Sequence, residues 1–447
     1  MIEIGGRTAA AIAASLEQAI AQGQWAAETP LPTVRALAGR LRVAPATVAG
    51  AYRLLRDRGL TEGGGRRGTR VRAHVPRETA AVAVRDRRAP GAPRVGPTDG
   101  IDLTTGHPDP EQLPSLDAAL RALPRKPIGY PLTDVLPALA SFAASEFEAD
   151  GIPVGPIAVT GGALDAIERI LRERLRPGDR VAIEDPNLPA LIQSIAAAGY
   201  RAIPVAIDGA GPVPASLSMA LAERPAAFVL TPRAHNPTGA ALTNDRAGEL
   251  KRVLRDHRDL VLIENDPAAA IAGSPAITLV DQERTAWAVV RSLSKALGPD
   301  LRVAVVTGDV ATMTRVRARQ ALGVRWVSHL LQHLALAMWS DPAAGRRLAR
   351  TAGIYALRRR ALTDALAAHG IETMAVSGFN VWVPVREEYA VCRALADGGW
   401  LVAAGEPFRV RSGPGVRITT SALAPADAMR LAASVAAVRQ RLQSPAV

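Results

Sequence analysis

The sequence AWAVVRSLSKALGPDLRVAVVTGD, residues 286–309, decides how the rest of the chain is interpreted. Two apolar β-forming runs flank a polar break at residues 292–295, a pattern that predicts two strands joined through a functional loop. Lys295 in that loop is one of three lysines in 447 residues, against 51 arginines. A lysine amine can be tuned to react with a carbonyl group, whereas an arginine stays protonated. Lys295 is therefore either a nucleophile towards an aldehyde or an ordinary surface lysine.

The composition predicts a cytoplasmic protein of two or three folding units. The net charge is +12, and residues 1–95 contribute +9 of it, which favours an anionic partner for the N-terminal part. Cys392 is the only cysteine, which excludes an intrachain disulfide and a cysteine-based metal cluster. The sequence has no secretory leader, no apolar run of ~18 residues and no metal-spaced cluster, so we expect neither a membrane nor a metal as partner.

Residues 1–72 have the pattern of three short helices followed by a hairpin. Residues 7–22 repeat apolar side chains at helical spacing, and Thr33 can cap a second helix after a proline break. A third helix is predicted to begin near Pro45, after a short turn. Two helices joined in this way are typical of a helix-turn-helix, whose second helix enters the DNA major groove. The glycine-rich basic tip at residues 63–67 predicts a wing that contacts the DNA backbone or minor groove.

The sequence LPTVRALAGRLRVAPATVAGAYRLLRDRGL, followed by GRRGTRV, resembles the winged helix-turn-helix of the GntR family of bacterial transcription regulators. The resemblance implies double-stranded DNA as a partner, with these residues as contacts: Arg35, Thr47, Tyr52, Arg66, Arg67 and Thr69. The recognition helix has Pro45, Ala46 and Ala49 where polar residues often stand, so sequence reading is expected to rest more on the wing and on DNA shape. The alternative is a three-helix cap with a solvated basic loop.

Residues 73–100 are rich in Pro, Gly and Arg and predict a semi-extended linker. From residue 101 to 447, strand and helix patterns alternate, which predicts an α/β fold with a mostly parallel sheet. We expect a large part at about 101–325 and a smaller part at about 340–447. Polar clusters follow several predicted strands, and ligands gather at the carboxyl ends of parallel strands. These clusters are therefore expected to form one site.

The residue types in these clusters suit a phosphorylated aldehyde. The glycines at 161 and 162 precede a helix whose N–H groups can hold a phosphate, although alone they could equally be a chain turn. Ser292, Ser294 and Arg302 add further phosphate donors. Arg417 lies in an apolar β pattern, so it is either buried against an anion or exposed at a sheet edge. Combined with Lys295, the set is what a protein needs to hold an aldehyde cofactor as a Schiff base.

The same motifs resemble fold-type I, aspartate aminotransferase-like enzymes that use pyridoxal 5'-phosphate (PLP), over roughly residues 101–447. Behind a GntR module they are similar to MocR/PdxR-type transcription regulators. The resemblance implies a multidomain fold: an N-terminal winged α+β unit and a C-terminal α/β transferase fold with a smaller α+β subdomain.

The same resemblance implies a homodimer and residue roles. Lys295 would be the Schiff-base lysine, Arg417 would hold a ligand carboxylate, and Tyr130 would reach the phosphate bound by the partner subunit. The remaining cofactor contacts implied are Gly161, Gly162, Ala163, Asn236, Asn265, Asp266, Ser292, Ser294 and Arg302.

Three departures from the family pattern argue against catalysis. Asn265 stands where the family has an aspartate beside the pyridine nitrogen, with Asp266 one residue along. Pro267 or Ala268 replaces the tyrosine that follows, and Leu188 replaces the aromatic residue that stacks on the ring. A neutral asparagine stabilises a protonated ring nitrogen less well than an aspartate does. We therefore expect transaminase activity to be weak or lost.

Three hypotheses follow for the whole chain. The first is a DNA-binding transcription regulator whose aminotransferase-like module binds PLP and senses a small amine or amino acid. The second is an active PLP-dependent aminotransferase with an appended DNA-binding domain, which the three departures disfavour. The third is a cofactor-free regulator whose C-terminal module only dimerises. Retention of Lys295, Asn236, Arg302 and Arg417 favours the first hypothesis over the third.

Overall fold

A computed structural model describes residues 4, 8–21, 25, 29–57, 60–63, 68–71, 100–126 and 129–443. These residues form two compact units, one before residue 72 and one built almost entirely from residues 100–443. All of the predicted linker except Gly100 lies outside the described residues. No helix in the described ranges has the length and apolar character needed to cross a bilayer.

The N-terminal unit has three helices and a hairpin, as the sequence predicts. The elements are α1 (Ala9–Ala21), α2 (Val34–Leu41), α3 (Pro45–Asp57), β1 (Thr61–Gly63) and β2 (Thr69–Val71). Thr33 caps α2, because its Oγ1 accepts the Ala36 N–H at 3.2 Å. Three residues separate α2 from α3, and apolar side chains of all three helices meet in one core. The winged helix-turn-helix fold is therefore confirmed.

The wing is tied back to the segment before α2. β1 and β2 are antiparallel, with Thr61 opposite Val71. The Leu31 N–H donates to the Thr69 carbonyl at 2.8 Å, and the Val71 N–H donates to the Thr29 carbonyl at 3.0 Å. The extended segment around Pro30 thus extends the hairpin and fixes the wing to the start of α2.

The C-terminal unit contains alternating strands and helices. Its strands are β3 (Ile101–Asp102), β4 (Ile157–Thr160), β5 (Arg180–Asp185), β6 (Arg201–Asp208), β7 (Gly211–Pro212), β8 (Ala227–Leu230), β9 (Val261–Asp266), β10 (Trp287–Ser292), β11 (Ala304–Gly308), β12 (Asn380–Pro384), β13 (Trp400–Leu401), β14 (Ala403–Ala404) and β15 (Gly415–Thr419). Its helices are α4 (Asp117–Arg121), α5 (Pro137–Ala149), α6 (Ala163–Arg174), α7 (Pro189–Ala197), α8 (Pro214–Ala222), α9 (Asn244–Leu254), α10 (Ser294–Leu297), α11 (Val310–Ala321), α12 (His329–Trp339), α13 (Pro342–Ala368), α14 (Glu388–Asp397) and α15 (Pro425–Gln443).

The large sheet has the strand order β4-β11-β10-β9-β8-β5-β6-β7. β10, β9, β8, β5 and β6 run parallel, whereas β11 is antiparallel to both β10 and β4. β8, β9 and β10 are buried along their whole length, as expected for a sheet with both faces covered. The predicted mostly parallel sheet is confirmed, and its carboxyl edge is where the polar clusters lie.

The smaller subdomain contains the antiparallel sheet β12-β15-β14. β3 pairs in parallel with β13, with Ile101 opposite Trp400, and Leu103 is buried in the core of this subdomain. The chain around residue 101 therefore packs with the small part, and not with the large part as the sequence suggested. α13 joins the two cores, since Leu348 and Tyr355 lie in the large one and Leu362 and Leu366 in the small one.

Candidate functional site

Lys295 lies in the first turn of α10, immediately after the buried strand β10. Its side chain is half-buried, and its Nζ lies 5.3 Å from the centre of the Phe379 ring. Burial, followed by the positive charge of Arg417, lowers the pKa of Lys295 from 10.5 to about 8. At neutral pH about a tenth of the amine is therefore uncharged and nucleophilic, far more than at the ordinary pKa of 10.5.

Arg302 lies against the N-terminus of α6. Its Nη2 donates to the Gly161 carbonyl at 2.9 Å. Gly162 has a φ of 122°, and a Cβ there would stand 2.6 Å from the Arg302 Nη2, so only glycine fits. The first turn of an α-helix has N–H groups without intrahelical acceptors, and this end of the helix is positive. Gly162 and Ala163 are at this end of α6, beside the Arg302 guanidinium. The Gly161 N–H itself donates to Asp165 at 2.9 Å.

Ser292, Ser294 and Asn265 lie near the same strand ends. The Ser292 Oγ accepts the Ser294 N–H at 3.3 Å, and the Ser294 Oγ is buried with no hydrogen-bond partner among the described residues. Asn265 pairs with Val290 across β9 and β10, so the two-residue period places Asn265, Val290 and Ser292 on one face. The buried Asn265 Oδ1 likewise has no partner in the described part of the chain.

Asp266, predicted as a cofactor contact, points to the opposite face of the sheet. Its carboxylate accepts from Arg233 at 2.7 Å, from Arg291 at 3.1 Å and from the Ala269 N–H at 3.0 Å. The two guanidinium groups counter its burial and hold the pKa of Asp266 below its usual range. Asp266 is therefore part of a buried ion-pair network, and the sequence prediction that it contacts the cofactor was wrong. Successive side chains of a β-strand point to opposite faces of the sheet, so Asn265 and Asp266 cannot both face the Ser292 side.

Arg417 on β15 is buried and forms no ion pair with a carboxylate among the described residues. Its Nη1 donates to the Asn236 Oδ1 at 3.2 Å, its Nη2 donates to the Thr104 carbonyl, and its Nε has no partner in that same set. Burial lowers the pKa of Arg417 to about 10, opposed by Asp102. Of the two sequence-based alternatives, the structure has the buried one. This hydrogen bond places the Asn236 side chain, which follows β8 in the chain, beside Arg417.

Sequence reasoning missed the segment that seats Arg417. Gly106 has a φ of 65°, and a Cβ at this position would lie 2.8 Å from the Arg417 Nη1. The Gly106 N–H donates to the Thr419 Oγ1 at 2.9 Å, which fixes the segment to β15. The one sequence signal was a glycine shortly before Pro108 and Pro110, which indicates a turn but not its partner.

A loop of the smaller subdomain, residues 405–414, covers the far side of Arg417; we refer to it as the strap. Its Phe408 ring lies 4.8 Å from the Arg417 guanidinium. Asp185 at the end of β5 accepts three backbone N–H groups of the strap, from Val410 at 2.9 Å, Arg411 at 2.6 Å and Ser412 at 2.7 Å. The buried Asp185 carboxylate therefore joins the strap to the large sheet.

The positions of the missing aromatic residues carry aliphatic side chains. Leu188 is half-buried at the residue before α7, and Ala268 is fully buried after β9. Tyr130 is 87% exposed, with an edge-on contact to Trp326 at 6.0 Å between ring centres. Within the described residues, no group of three acidic, histidine or cysteine side chains has metal-binding geometry.

The DNA-binding prediction divides into three groups of residues. Arg35 is exposed, and Thr47 and Thr69 are half-buried, so all three side chains are accessible to solvent. Arg66 and Arg67 lie outside the described residues. Tyr52 is 2% exposed, and its hydroxyl donates to the Pro32 carbonyl at 2.7 Å. Tyr52 therefore packs α3 against the segment before α2, and its predicted contact with DNA is replaced by this internal role.

Fold and site together define a winged helix-turn-helix joined to an aminotransferase-like module. Comparison with family models agrees: the model for "Bacterial regulatory proteins, gntR family" matches residues 8–71, and "Aminotransferase class I and II" matches residues 98–435. The crystal structure of Pyrococcus horikoshii kynurenine aminotransferase superposes with a TM-score of 0.73 at 19% identity, covering 83% of this chain and 96% of that one. This likeness concerns the fold.

Two relatives match this chain over both of its modules. The vitamin B6 salvage pathway transcriptional repressor PtsJ of Salmonella typhimurium is 42% identical over 436 residues, which cover 97% of this chain and 98% of PtsJ. The HTH-type transcriptional regulator TauR of Rhodobacter capsulatus is 27% identical over 393 residues, 81% of this chain and 80% of TauR. The chain thus belongs to the GntR family of transcription regulators with a class I and II aminotransferase module, and it is a homologue of a transcriptional repressor. GntR regulators bind DNA, and the aminotransferase class is PLP-dependent.

Proposed function

We propose that this chain represses genes of vitamin B6 salvage and that its aminotransferase-like module binds PLP at Lys295. The observation that carries the proposal is Lys295, whose pKa is lowered to about 8, beside a buried Arg417 that has no carboxylate partner among the described residues. A repressor of this pathway needs to sense a B6 compound, and PtsJ, which is 42% identical, is named as such a repressor. The residues of the site suit the ligand that this role requires.

The described residues fit PLP group by group. PLP supplies an aldehyde that combines reversibly with amines, and Lys295 offers the amine. Arg302, the N-terminus of α6 and the unpartnered Ser294 hydroxyl would hold the phosphate. Asn236 would hold the 3-oxygen, and Asn265 on the Ser292 face would meet the ring nitrogen.

The residues of the site favour ligand binding over catalysis. Asp266 is engaged by Arg233 and Arg291, so no carboxylate of β9 meets the ring nitrogen. An asparagine at position 265 leaves that nitrogen without a counter-charge. Arg417 suits the carboxylate of an amino-acid effector, because its guanidinium has the forked geometry that binds carboxylates. We infer that PLP, alone or with an amino compound, changes the affinity of the winged unit for DNA.

We also propose a homodimer formed through the apolar surface around Tyr130. Tyr130 and Leu132 are 87% and 103% exposed, and Leu322 and Val324 add two more exposed apolar side chains. The His329 ring contacts the Thr133 carbonyl at 3.1 Å, which brings the two segments together. Exposed apolar patches of this kind are typical of protein interfaces, and dimerisation would bring Tyr130 towards the partner subunit's phosphate site.

Covalent labelling tests the site directly. The protein is mixed with PLP, reduced with borohydride, digested and mapped by mass spectrometry, with Lys295→Ala and the exposed Lys126→Ala as paired variants. We expect the label on Lys295 and its loss only in Lys295→Ala. Equal labelling of Lys126 and Lys295, or no visible absorbance change on adding PLP, would refute PLP binding at this site.

A further inference from the structure

A second cleft in the C-terminal unit is formed by elements that do not carry Lys295. It lies between α4, the end of α12 and the first turns of α13, and its volume is about 520 Å³. Pockets for small molecules fall in the range of about 300–1,000 Å³. The size of the cleft is therefore that of a small-ligand site.

The cleft has four guanidinium groups, from Arg121, Arg346, Arg347 and Arg350. Two carboxylates also line it, and each accepts a hydrogen bond from a neighbouring residue of the same lining. Asp117 accepts from the Ser115 hydroxyl at 2.9 Å, and Asp341 accepts the Ala343 N–H at 2.8 Å as the cap of α13. The lining thus has two more positive than negative charges.

One arginine is held in place and the others are available. Arg347 donates to the Glu111 carbonyl, and at 3.4 Å to the Gln112 carbonyl, which also accepts from the Thr351 hydroxyl. These bonds fix the start of α13 against the turn before α4. Arg121, Arg346 and Arg350 are exposed, and within the described ranges none of them forms an ion pair.

The placement of these arginines is unfavourable without an anion. Arg346 and Arg350 are four residues apart on one helix, so their like charges repel. A bound dianion would relieve this repulsion between the two side chains.

We propose that this cleft binds a small organic phosphate. A phosphomonoester has close to two negative charges at neutral pH, which matches the excess charge of the lining. Guanidinium forks pair with phosphate oxygens by two parallel hydrogen bonds. The ligand is thus a phosphorylated metabolite that binds independently of Lys295, as a second input to the regulator.

Calorimetric titration with glycerol 3-phosphate at constant ionic strength tests the proposal. We expect saturable binding to the full chain, no binding of glycerol, and affinity at least about tenfold weaker in the double variant R346Q/R350Q. Arg360→Gln, an exposed arginine on the same helix outside the cleft, should bind as the unaltered chain does. Arg302→Gln separates this cleft from the Lys295 site, and binding lost in Arg302→Gln but kept in R346Q/R350Q would overturn the assignment.

A second arm distinguishes a free phosphate from the phosphates of DNA. Binding of a nonspecific duplex is measured over a range of salt concentrations for the unaltered chain and R346Q/R350Q. An equal salt slope in both, together with glycerol 3-phosphate binding, supports the small ligand. A slope smaller by about two in the variant, without glycerol 3-phosphate binding, would assign the cleft to DNA and overturn the proposal.

Discussion

Lys295 reacts with an aldehyde only when its amine is neutral, and its surroundings set the pH at which that happens. Its pKa of about 8 comes first from burial and then from Arg417. Because the folded state loses this proton before the unfolded state does, stability from this group rises between about pH 8 and the ordinary value of 10.5 and is constant below pH 8. The reactivity of Lys295 towards PLP should therefore rise with pH, with its midpoint near pH 8.

We predict that the rate of PLP attachment, followed by absorbance at saturating PLP, has a midpoint near pH 8. Arg417→Gln should move this midpoint upward, because it removes a neighbouring positive charge. Arg360→Gln, on the exposed side of α13, should leave it unchanged. A midpoint that stays the same in Arg417→Gln would contradict the electrostatic coupling between Lys295 and Arg417.

Asn265→Asp should raise the rate of the transamination half-reaction. A charged hydrogen bond to the ring nitrogen contributes about 1.5–3 kcal/mol, so the half-reaction with an amino donor should become roughly 10- to 100-fold faster. Single-turnover absorbance measures it. Asp266→Asn is the matched control and should lower stability without adding activity, since it breaks the pairs with Arg233 and Arg291. An inactive Asn265→Asp that still binds PLP would show that ring-nitrogen charge is not the limiting feature.

The residue types of the site could be predicted from the sequence, whereas the directions of the side chains could not. The rarity of lysine singled out Lys295, and the apolar pattern around Arg417 correctly allowed for its burial. Asn265 and Asp266 are adjacent in β9, so their side chains point to opposite faces of the sheet. Only the pairing of β9 with β10 decides which of them faces Ser292. The sequence around Tyr52 is likewise compatible with a DNA contact or with a buried core position. Only the structure, in which its hydroxyl donates to the Pro32 carbonyl, decides between them.

Among the elements, the strap is joined to the end of β5 by one carboxylate that accepts several of its hydrogen bonds. Asp185 accepts three strap N–H groups and the Ser412 hydroxyl. Asp185→Asn replaces an acceptor oxygen by a donor, so at least one N–H loses its partner at a cost of about 1–3 kcal/mol. The strap should then open more often.

Limited trypsin digestion measures this opening, because Arg409 and Arg411 lie in the strap. We expect cleavage after these residues to become roughly tenfold faster in Asp185→Asn, in proportion to the open population. Asp208→Asn, at the end of β6 and paired with Arg246, is the control. Unchanged strap cleavage in Asp185→Asn would mean that other contacts, such as the Glu388–Arg409 ion pair, hold the strap.

Local patterns predicted most elements, because strands such as β4, β8 and β10 are short apolar runs with clear ends. β3 escaped prediction for a physical reason. It has two residues, and its partner β13 lies about 300 positions along the chain, so its placement depends on a non-local pair. The seating of Arg417 by residues 104–106 follows from that pairing and was missed with it.

On the scale of the whole molecule, the chain combines a DNA-binding winged unit with an aminotransferase-like module, for which we propose PLP as the ligand. Its basic N-terminal unit and its Lys295 site belong to different compact units. A regulator of this design works only if the ligand binds one arrangement of the units better than another. The central claim is therefore a coupling between PLP binding at Lys295 and DNA affinity.

The most direct test is the affinity for DNA upstream of the vitamin B6 salvage genes, measured at fixed salt with and without PLP. For the unaltered chain and Lys126→Ala, we predict that PLP changes the dissociation constant by about 5- to 150-fold, the usual range of coupling between sites. For Lys295→Ala, PLP at the same concentration should change it far less. A PLP effect of equal size in Lys295→Ala, or none in the unaltered chain, would contradict the account.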